Sequence, residues 1–319
     1  MNNYRRQLLL AGLAVPFAAR AQGISNRPVR FILGQTAATT PDLIARTLAS
    51  RMQAKWNQPF VVENRGGAGG AIGLDAVAKS PPDGHVLTIS VNSTVTLPIF
   101  FKIDFDILNS FTPIGIVAEN LFALVVHPAV PAKNFPEWVE WAKREGPKAN
   151  YGSPGNGTHH HLLMESVKLQ TGLHLTHIPY KGSAPAFADL IGGQIGTMFV
   201  PLGTALTLGA GGKLVAIGGS ARERSPLAPQ IPSLHEQGLK DFDYTSWFSA
   251  WGPAGMSQDI VAKYRDAFRE VLAEEGVRAT LGRQGVSVSL STPEELDRRN
   301  RADYAHFAKL VKDAKIKGD

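Results

Sequence analysis

The chain has 319 residues, of which 44% are hydrophobic, enough for a sizeable core and too many for a disordered protein. It contains no cysteine, which excludes disulfide scaffolds, cysteine-ligated metal centres and thiol catalysis. The formal net charge is +6, so nucleic acid and anionic membrane surfaces have to be considered as partners.

The first 21 residues are typical of an export signal. Arg5 and Arg6 form a positive region, an apolar run of about a dozen residues follows, and Ala19-Arg20-Ala21 supplies the small-x-small pattern of a cleavage site. The run is too short to span a bilayer, which takes about twenty residues. We therefore expect residues 1–21 to be a signal peptide cleaved near Ala21, and the mature protein to be periplasmic.

The basic charge lies partly in this leader. Its removal takes away three basic and no acidic residues, so 33 basic and 27 acidic side chains become 30 and 27, a net charge of +3. A charge this small fits the attraction of small anions better than the binding of a phosphate backbone. We therefore expect no nucleic-acid partner.

Beyond the leader, strand and helix patterns alternate along the chain. Short β-branched or aromatic runs predict strands, and longer runs with apolar residues three and four positions apart predict helices. The predicted strands are 29–33, 60–62, 85–91, 121–126, 150–152, 174–177, 197–200 and 214–218. The predicted helices are one opened by Thr40-Pro41-Asp42, then 72–78, 135–144, 160–171, 184–191, 258–272 and 294–314. This alternation favours an α/β fold with two similar lobes, each a mostly parallel sheet flanked by helices.

Two loops have the pattern of an anion site. In residues 150–161 a strand runs through the small residues Ser153 to Thr158 directly into a helix, where backbone N–H groups form a cradle for a carboxylate or phosphate. Residues 34–42 repeat this arrangement in the other half of the chain. Because such loops lie at the carboxyl ends of strands, we expect them to face each other across a cleft. An ordinary glycine-rich connection is the alternative for either loop alone.

Signatures of catalysis and of cofactor binding are weak. The run His159-His160-His161 invites a metal site, but adjacent helical residues point in different directions and no H-E-x-x-H pattern occurs. We expect one of these histidines to face the cleft, and no metal. No dinucleotide fingerprint, Walker A or G-x-S-x-G pattern is present, so we expect neither a cofactor nor enzymatic activity. An exported hydrolase that uses Ser153 or one of the histidines is an alternative, although the sequence guarantees no base and acid beside it.

A series of short, distinct motifs runs through most of the mature chain. They are Arg27-Pro-Val-Arg-Phe, Phe60-Val-Val-Glu-Asn-Arg65, Pro82-Asp-Gly84, Phe111-Thr-Pro-Ile114, Tyr151-Gly-Ser-Pro-Gly-Asn-Gly-Thr158, Pro179-Tyr-Lys-Gly-Ser183, Asp189-Leu-Ile-Gly-Gly-Gln194, Pro232-Ser-Leu-His-Glu236 and Trp247 to Pro253. The series resembles the substrate-binding proteins of tripartite tricarboxylate transporters, often called Bug proteins. The resemblance implies a two-lobed periplasmic binding protein of type II, a Venus flytrap, which captures a small organic carboxylate and delivers it to membrane permease subunits.

The resemblance also implies that backbone amides and hydroxyls of the two loops grip the ligand. The corresponding segments here are Thr36 to Asp42 and Ser153 to His159. The residues expected in the site are Thr36, Ala38, Thr39, Thr40, Asp42, Ser90, Asn92, Ser153, Gly155, Asn156, Gly157, Thr158, His159, Lys181, Phe199 and Trp247. Family members commonly carry Gly-Gly where this chain has Ala38-Thr39, so we expect a reshaped first loop.

Five of these residues lie outside the two loops. Ser90 and Asn92, at the end of a strand, are expected to add polar contacts. Lys181 is expected to supply charge near the mouth of the cleft, the alternative being a solvated lysine. Phe199 and Trp247 are expected to pack against the carbon skeleton of the ligand, although an apolar run such as the one around Trp247 is core by default.

The domain organisation follows from the two halves of the pattern. We expect lobe 1 to comprise residues 22–124 plus 248–319 and lobe 2 to comprise residues 125–247, in a monomeric protein. A carboxylate sensor that acts through a membrane regulator would need the same two cradles. It is therefore an alternative to the transport receptor.

Overall fold

The computed structural model describes residues 26–316, so the expected signal peptide lies outside the described residues. The described strands are β1 Val29–Leu33, β2 Phe60–Asn64, β3 Val86–Val91, β4 Phe111–Val126, β5 Asn150–Ser153, β6 Thr176–Pro179, β7 Thr197–Pro201, β8 Val215–Gly219, β9 Thr245–Pro253 and β10 Val286–Val288. The described helices are α1 Thr40–Trp56, α2 Ala71–Ala78, α3 Leu97–Phe100, α4 Phe135–Glu145, α5 His159–Thr171, α6 Ser183–Ile191, α7 Leu202–Ala210, α8 Gln258–Ala273, α9 Glu275–Gly282 and α10 Pro293–Asp313. None of these helices is both long and apolar enough to cross a membrane.

The strands form one curled sheet with two lobes. Its order is β2-β1-β3-β9-β4-β7-β5-β6, and β8 and β10 also pair with β4. We call the part built on β1, β2 and β3 the first lobe and the part built on β5, β6, β7 and β8 the second lobe. The predicted two-lobed α/β fold is confirmed.

The prediction of mostly parallel sheets is wrong in one respect. The outer pairs β1–β2, β1–β3, β5–β6 and β5–β7 are parallel, as alternating strands and helices require. Every pairing that involves β4 or β9 is antiparallel. Each lobe is therefore a mixed sheet, because both strands that pass between the lobes run against their neighbours.

The strands β4 and β9 join the two lobes. The first part of β4 pairs with β9 from Phe111 to Leu121, and its last part pairs with β7 from Phe122 to Val126. Sequence patterns predicted only the end of β4 and missed β9. Eight of the nine residues of β9 are buried, so that strand shows an apolar run without the alternation that identifies a half-exposed strand.

The helix α10 packs on both lobes. Near its start, Leu296 belongs to a cluster with Trp247 and Trp251. Near its end, Phe307 and Leu310 pack into the core of the second lobe. The C-terminal helix thus adds a third connection between the lobes, beside β4 and β9.

Two loops leave the carboxyl ends of strands in the two lobes. We call residues 34–39, between β1 and α1, the first loop, and residues 154–158, between β5 and α5, the second loop. The base of the first loop is held by α2 at very short range. A Cβ atom added to Gly73 would lie 2.7 Å from the Cα of Gly34 and 2.8 Å from the carbonyl oxygen of Leu33. Only glycine at this position lets α2 approach the chain where the loop begins.

We expect Gly73→Ala to lower the free energy of unfolding by about 1–3 kcal/mol, because the added methyl group meets backbone atoms that cannot rotate away. Gly276→Ala, in α9, is the matched control, since a Cβ there has nothing within 4 Å. The control should be neutral or stabilising by up to about 1 kcal/mol, because alanine favours the helix over glycine. Urea unfolding measures both, and equal stabilities of the two variants would contradict the close approach.

Candidate ligand-binding site between the lobes

The two loops end in the same arrangement, with a threonine at the N-cap position of the following helix. The hydroxyl of Thr39 donates to the carbonyl oxygen of Thr36 at 2.8 Å, and the hydroxyl of Thr158 donates to that of Gly155 at 2.8 Å. In both loops the threonine thus bonds three residues back along the chain. Neither side chain caps its own helix.

This arrangement sets α1 and α5 apart from the other long helices. Among the five described helices of more than ten residues, α4, α8 and α10 have a side chain that accepts a first-turn N–H group: Asn134, Ser257 and Thr292, respectively. The starts of α1 and α5 have no such side-chain cap. First-turn N–H groups together with the positive end of the helix dipole make an anion site.

The residue before each N-cap threonine has left-handed backbone geometry. The φ angle is 62° at Ala38 and 74° at Gly157, and the second loop has a further positive φ of 140° at Gly155. Ala38 therefore takes the left-handed conformation that glycine adopts more readily, at the cost of local strain. The expected reshaping of the first loop relative to other family members stays a prediction.

The segment 96–101 of the first lobe lies between the two loops. The hydroxyl of Thr96 donates to the carbonyl oxygen of Gly157 at 3.3 Å, and a Cβ added to Gly157 would lie 2.7 Å from the ring of Phe100. On the other side, a Cβ on Gly69 would meet Phe101 at 2.6 Å, next to Gly70, which lies against the first loop. The second loop thus contacts this segment directly, and the first loop is connected to it through Gly70 and Gly69.

Asp42 is turned inward, beneath the first loop. Its carboxylate accepts hydrogen bonds from the backbone N–H of Ala38 at 3.0 Å, from Nδ2 of Asn64 at 2.9 Å and from Nε of Arg46. Burial raises the pKa of Asp42, but the bonds from Arg46, Asn64 and Ala38 outweigh this effect, and the pKa lies below its ordinary value. The carboxylate therefore holds the loop and is occupied by donors of its own lobe.

Ser153 is likewise occupied within its own loop. The residue is 0% exposed, and its Oγ lies 2.7 Å from Nε2 of His177 and donates to the carbonyl oxygen of Gly155 at 3.1 Å. Its Oγ also accepts the N–H of Gly155 at 3.2 Å. Lys181 lies beside this loop, since the neighbouring Gly182 donates its N–H to the carbonyl oxygen of Pro154. The side chain of Lys181 is exposed.

The remaining loop residues expected in the site are more open to solvent. Thr36 is exposed, and Thr40, Asn156 and Thr158 are partly exposed. In the second loop Gly157 is buried against Phe100, while Gly155 is partly exposed. The accessible rim of the site is therefore built from threonines, Asn156 and backbone at the two helix starts.

Three residues expected to contact ligand form a polar network between the lobes. Oδ1 of Asn92 accepts from Nε2 of His159 at 2.6 Å and from the backbone N–H of Trp247 at 3.2 Å. Asp303 of α10 accepts from Nδ2 of Asn92 at 2.7 Å and from the indole N–H of Trp247 at 3.0 Å. Because Oδ1 of Asn92 is an acceptor, Nε2 of His159 carries the proton. Asn92, His159 and Trp247 therefore join β3, α5, β9 and α10.

Two further expected contacts lie in the interior. Phe199 is 0% exposed and stacks on Phe242 in the core of the second lobe, with ring centroids 6.1 Å apart. The hydroxyl of Ser90 pairs with that of Thr94 at 2.9 Å, next to a cavity of about 20 Å³, room for one water molecule. Trp247, 2% exposed, lines the same cavity. Phe199 and Trp247 are thus core residues, because nearly every residue of β7 and β9 is buried.

The three consecutive histidines are all held neutral by burial. Burial lowers the pKa of His159 and His160 to about 3 and that of His161 to about 4. The ring of His160 stands edge-on to Phe122 at 5.0 Å, and its two nitrogens have no partner among the described residues. No group of three or more potential ligand side chains that could hold a metal ion occurs in the described residues.

Sequence reasoning missed several residues that shape the second loop. The carboxylate of Glu165 accepts from the hydroxyl of buried Tyr151 and from the partly exposed Lys168, and His177 stacks on Tyr151 with ring centroids 4.7 Å apart. Asp303 lies far along the chain, with no signal in its own segment. A signal did exist for His161: it follows Thr158 at the spacing by which Asp42 follows Thr39.

Comparison with known proteins places the chain in a family. The sequence profile of the tripartite tricarboxylate transporter family receptor matches residues 44–315. The chain belongs to this receptor family. It is 31% identical to the protein BugT of Bordetella pertussis over 288 residues, which cover 89% of this chain and 88% of BugT.

Solved structures of similar receptors carry ligands. The R. palustris protein Rpa4515 with adipate is 27% identical, with a TM-score of 0.86 over 92% of this chain and 99% of that chain. MatC from Rhodopseudomonas palustris with bound malate is 26% identical, with a TM-score of 0.82 over 89% of this chain and 99% of that chain. The fold and the family resemblance inferred from the sequence motifs are confirmed.

In the receptor's first loop, we expect Ala38→Gly to raise the free energy of unfolding by about 0.5–1 kcal/mol. Glycine relieves the left-handed strain of about 1–2 kcal/mol and loses part of this gain through its freer unfolded chain. Ala37→Gly is the matched control: it lies in the same loop without a positive φ, and should be destabilising by about 0.5 kcal/mol. Urea unfolding with the same result for both variants would contradict the strain at Ala38.

We expect the receptor to lose stability in mild acid. Below about pH 6.5 the unfolded chain binds protons that His159, His160 and His161 cannot bind while folded, until the pH nears their lowered pKa values of about 3 to 4. The free energy of unfolding should therefore fall between about pH 6.5 and pH 4, by up to about 1.4 kcal/mol per pH unit for each histidine.

Urea unfolding at several pH values measures this slope. His160→Asn should reduce it, because it removes a histidine whose two ring nitrogens are buried. His174→Asn, at an exposed position, is the control and should leave the slope unchanged. A wild-type midpoint that stays constant from about pH 7 to pH 5 would contradict the burial of neutral imidazoles.

Proposed function

We propose that the protein is a periplasmic solute-binding receptor that captures a small organic carboxylate between its two lobes and delivers it to the membrane permease subunits of a tripartite tricarboxylate-type transporter. The observation that carries the proposal is the pair of long helices whose first turns lack a side-chain cap, one in each lobe. Each offers N–H donors and a positive dipole end to an external acceptor. A ligand held at both helix starts closes the lobes around itself, because only the closed form provides both sets of contacts.

The relatives support a dicarboxylate as the ligand class. Adipate is bound in one similar structure and malate in another, and both molecules carry two carboxylate groups. The mature net charge of +3 also favours small anions. Lys181, exposed beside the second loop, is proposed to add positive charge at the mouth of the cleft.

The location and organisation of the receptor form part of the same proposal. We propose that residues 1–21 are removed near Ala21 during export and that the mature receptor is a periplasmic monomer. We keep residues 22–124 plus 248–319 as lobe 1 and 125–247 as lobe 2, with the end of α10 packed across onto lobe 2. The polar network of Asn92, His159 and Asp303 would then lie at the hinge.

One contact bears on the hydrolase alternative. Ser153 and His177 lie 2.7 Å apart, which is the distance of a nucleophile from its general base. However, Ser153 is 0% exposed and its hydroxyl is engaged on both sides by Gly155. A substrate carbonyl has no approach to this oxygen, so we propose binding without turnover.

Calorimetric titration of the purified mature protein with mono-, di- and tricarboxylates tests the proposal. We expect a dicarboxylate to bind most tightly, and the variant Thr158→Asp to weaken its binding by about 100-fold or more. The new carboxylate fills the first turn of α5 from within and repels the ligand, while as a helix cap it leaves stability unchanged or raised. Failure of all carboxylates to bind, or tight binding of amines or sugars instead, would overturn the proposal.

Two matched variants isolate the effect of the charge. Thr158→Asn adds a neutral cap and should weaken binding less than Thr158→Asp. Asn134→Asp places a carboxylate at the start of α4, which already has a side-chain cap, and should leave the dissociation constant unchanged.

A strain that lacks the gene separates the transport receptor from the sensor. Loss of carboxylate uptake indicates the receptor, whereas loss of transcriptional induction with uptake retained indicates the sensor.

A further inference from the structure

The residue three positions after each N-cap threonine makes the same contact in both loops. The backbone N–H of Ala38 donates to Oδ2 of Asp42 at 3.0 Å, and the backbone N–H of Gly157 donates to Nδ1 of His161 at 3.2 Å. Both donors have left-handed backbone geometry, and both acceptors lie four residues further on. His161 thus occupies in the second lobe the structural position that Asp42 occupies in the first.

The imidazole of His161 is fixed in place to serve as this acceptor. The residue is 3% exposed, and its ring stacks on that of His177 with centroids 4.1 Å apart and planes at 10°. Phe100 of the first lobe borders it at 6.3 Å. Since Nδ1 accepts the N–H of Gly157, it carries a lone pair, and burial, which lowers the pKa of His161 to about 4, keeps that lone pair at neutral pH.

The second loop contains a residue with wide conformational freedom, Gly157, which follows Gly155 and Asn156. The hydrogen bond to Nδ1 of His161 favours its left-handed state, beside the contacts of Gly157 with Thr96 and Phe100. This bond holds the backbone immediately before Thr158 and the first N–H groups of α5.

The chemical difference between the two acceptors bears on anion binding. Asp42 brings a negative charge into the first turn of α1, where Arg46 and Asn64 partly offset it. The first turn of α5 contains no acidic residue. A neutral imidazole therefore makes the same contact as Asp42 and leaves the positive end of the α5 dipole to the ligand.

We propose that His161 is a positioning residue of the carboxylate site: without touching the ligand, it holds the second loop in its binding conformation and adds no negative charge to the start of α5. The proposal rests on the proposed function of the two loops as a carboxylate site. His161 thus differs in role from His159, two residues earlier, whose ring is hydrogen-bonded to Asn92 of the opposite lobe.

Two substitutions of His161 separate hydrogen bonding from packing. Asparagine places an acceptor oxygen near the position of Nδ1, whereas leucine fills a similar space without an acceptor. We expect His161→Asn to bind the best dicarboxylate of the titration series within about 3-fold of the wild type, and His161→Leu to bind it about 10-fold more weakly, the cost of one lost hydrogen bond. Equal dissociation constants of the two folded variants would overturn the proposal.

Amide hydrogen exchange at Gly157, followed by nuclear magnetic resonance without ligand, gives a readout that does not depend on binding. The amide should be protected in the wild type and in His161→Asn, and should exchange at least about 10-fold faster in His161→Leu. If His161→Leu fails to fold, His161→Gln replaces it, because its longer side chain moves the acceptor away from Gly157.

The two measurements distinguish failure of the inference from failure of the proposed function. In the first case, the wild type binds no carboxylate, but the Gly157 amide is protected in the wild type and in His161→Asn and not in His161→Leu. This result would overturn the carboxylate site, and with it the role of His161 in ligand binding. Carboxylate binding by the wild type, together with a Gly157 amide that is equally protected in the asparagine and leucine variants, would overturn the role of His161 alone.

Discussion

The structure depends on two long helices that begin without a side-chain cap at the carboxyl ends of parallel strands. In α1 and α5 the N-cap threonine turns its hydroxyl back to the loop, so it does not cap the N–H groups of the first turn, of which α1 has one fewer because Pro41 carries none. Buried or half-buried backbone donors are costly when they lack partners. Under the proposed function, an anion that supplies acceptors to both lobes at once stabilises their closed arrangement.

The space around these helix starts is controlled by backbone rather than by charged side chains. Gly73 lets α2 reach the base of the first loop, and Gly157 packs directly against Phe100. Ala38 tolerates a left-handed conformation because Asp42 accepts its N–H. Asp42 and His161 perform the same structural task with different charges, and this difference leaves the start of α5 more positive than that of α1.

The lobes are connected by residues that the sequence pattern predicted to contact the ligand. Asn92 and His159 are hydrogen-bonded to each other. The carboxylate of Asp303 accepts hydrogen bonds from the side-chain amide of Asn92 and from the indole N–H of Trp247. The network joins β3, α5, β9 and α10, next to the strands that cross between the lobes. Polar groups that satisfy one another in this way fix one geometry, since each would be left unpaired in another. The helix α5 carries both His159, which belongs to this network, and His161, which accepts the N–H of Gly157 in the second loop.

The sequence by itself determined the α/β class, the two loops and the family, because turn residues, strand–helix alternation and ordered motifs are local properties of the chain. It also pointed to Thr39 and Thr158, whose positions before their helices are readable from spacing. Only the tertiary structure decided that Phe199 and Trp247 are core residues, that Asn92 joins the lobes, and that the imidazole of His161 accepts the N–H of Gly157. The physical reason is that each of these roles depends on which buried groups meet: Asn92, His159 and Asp303 come from distant parts of the chain, and no local pattern records their contact.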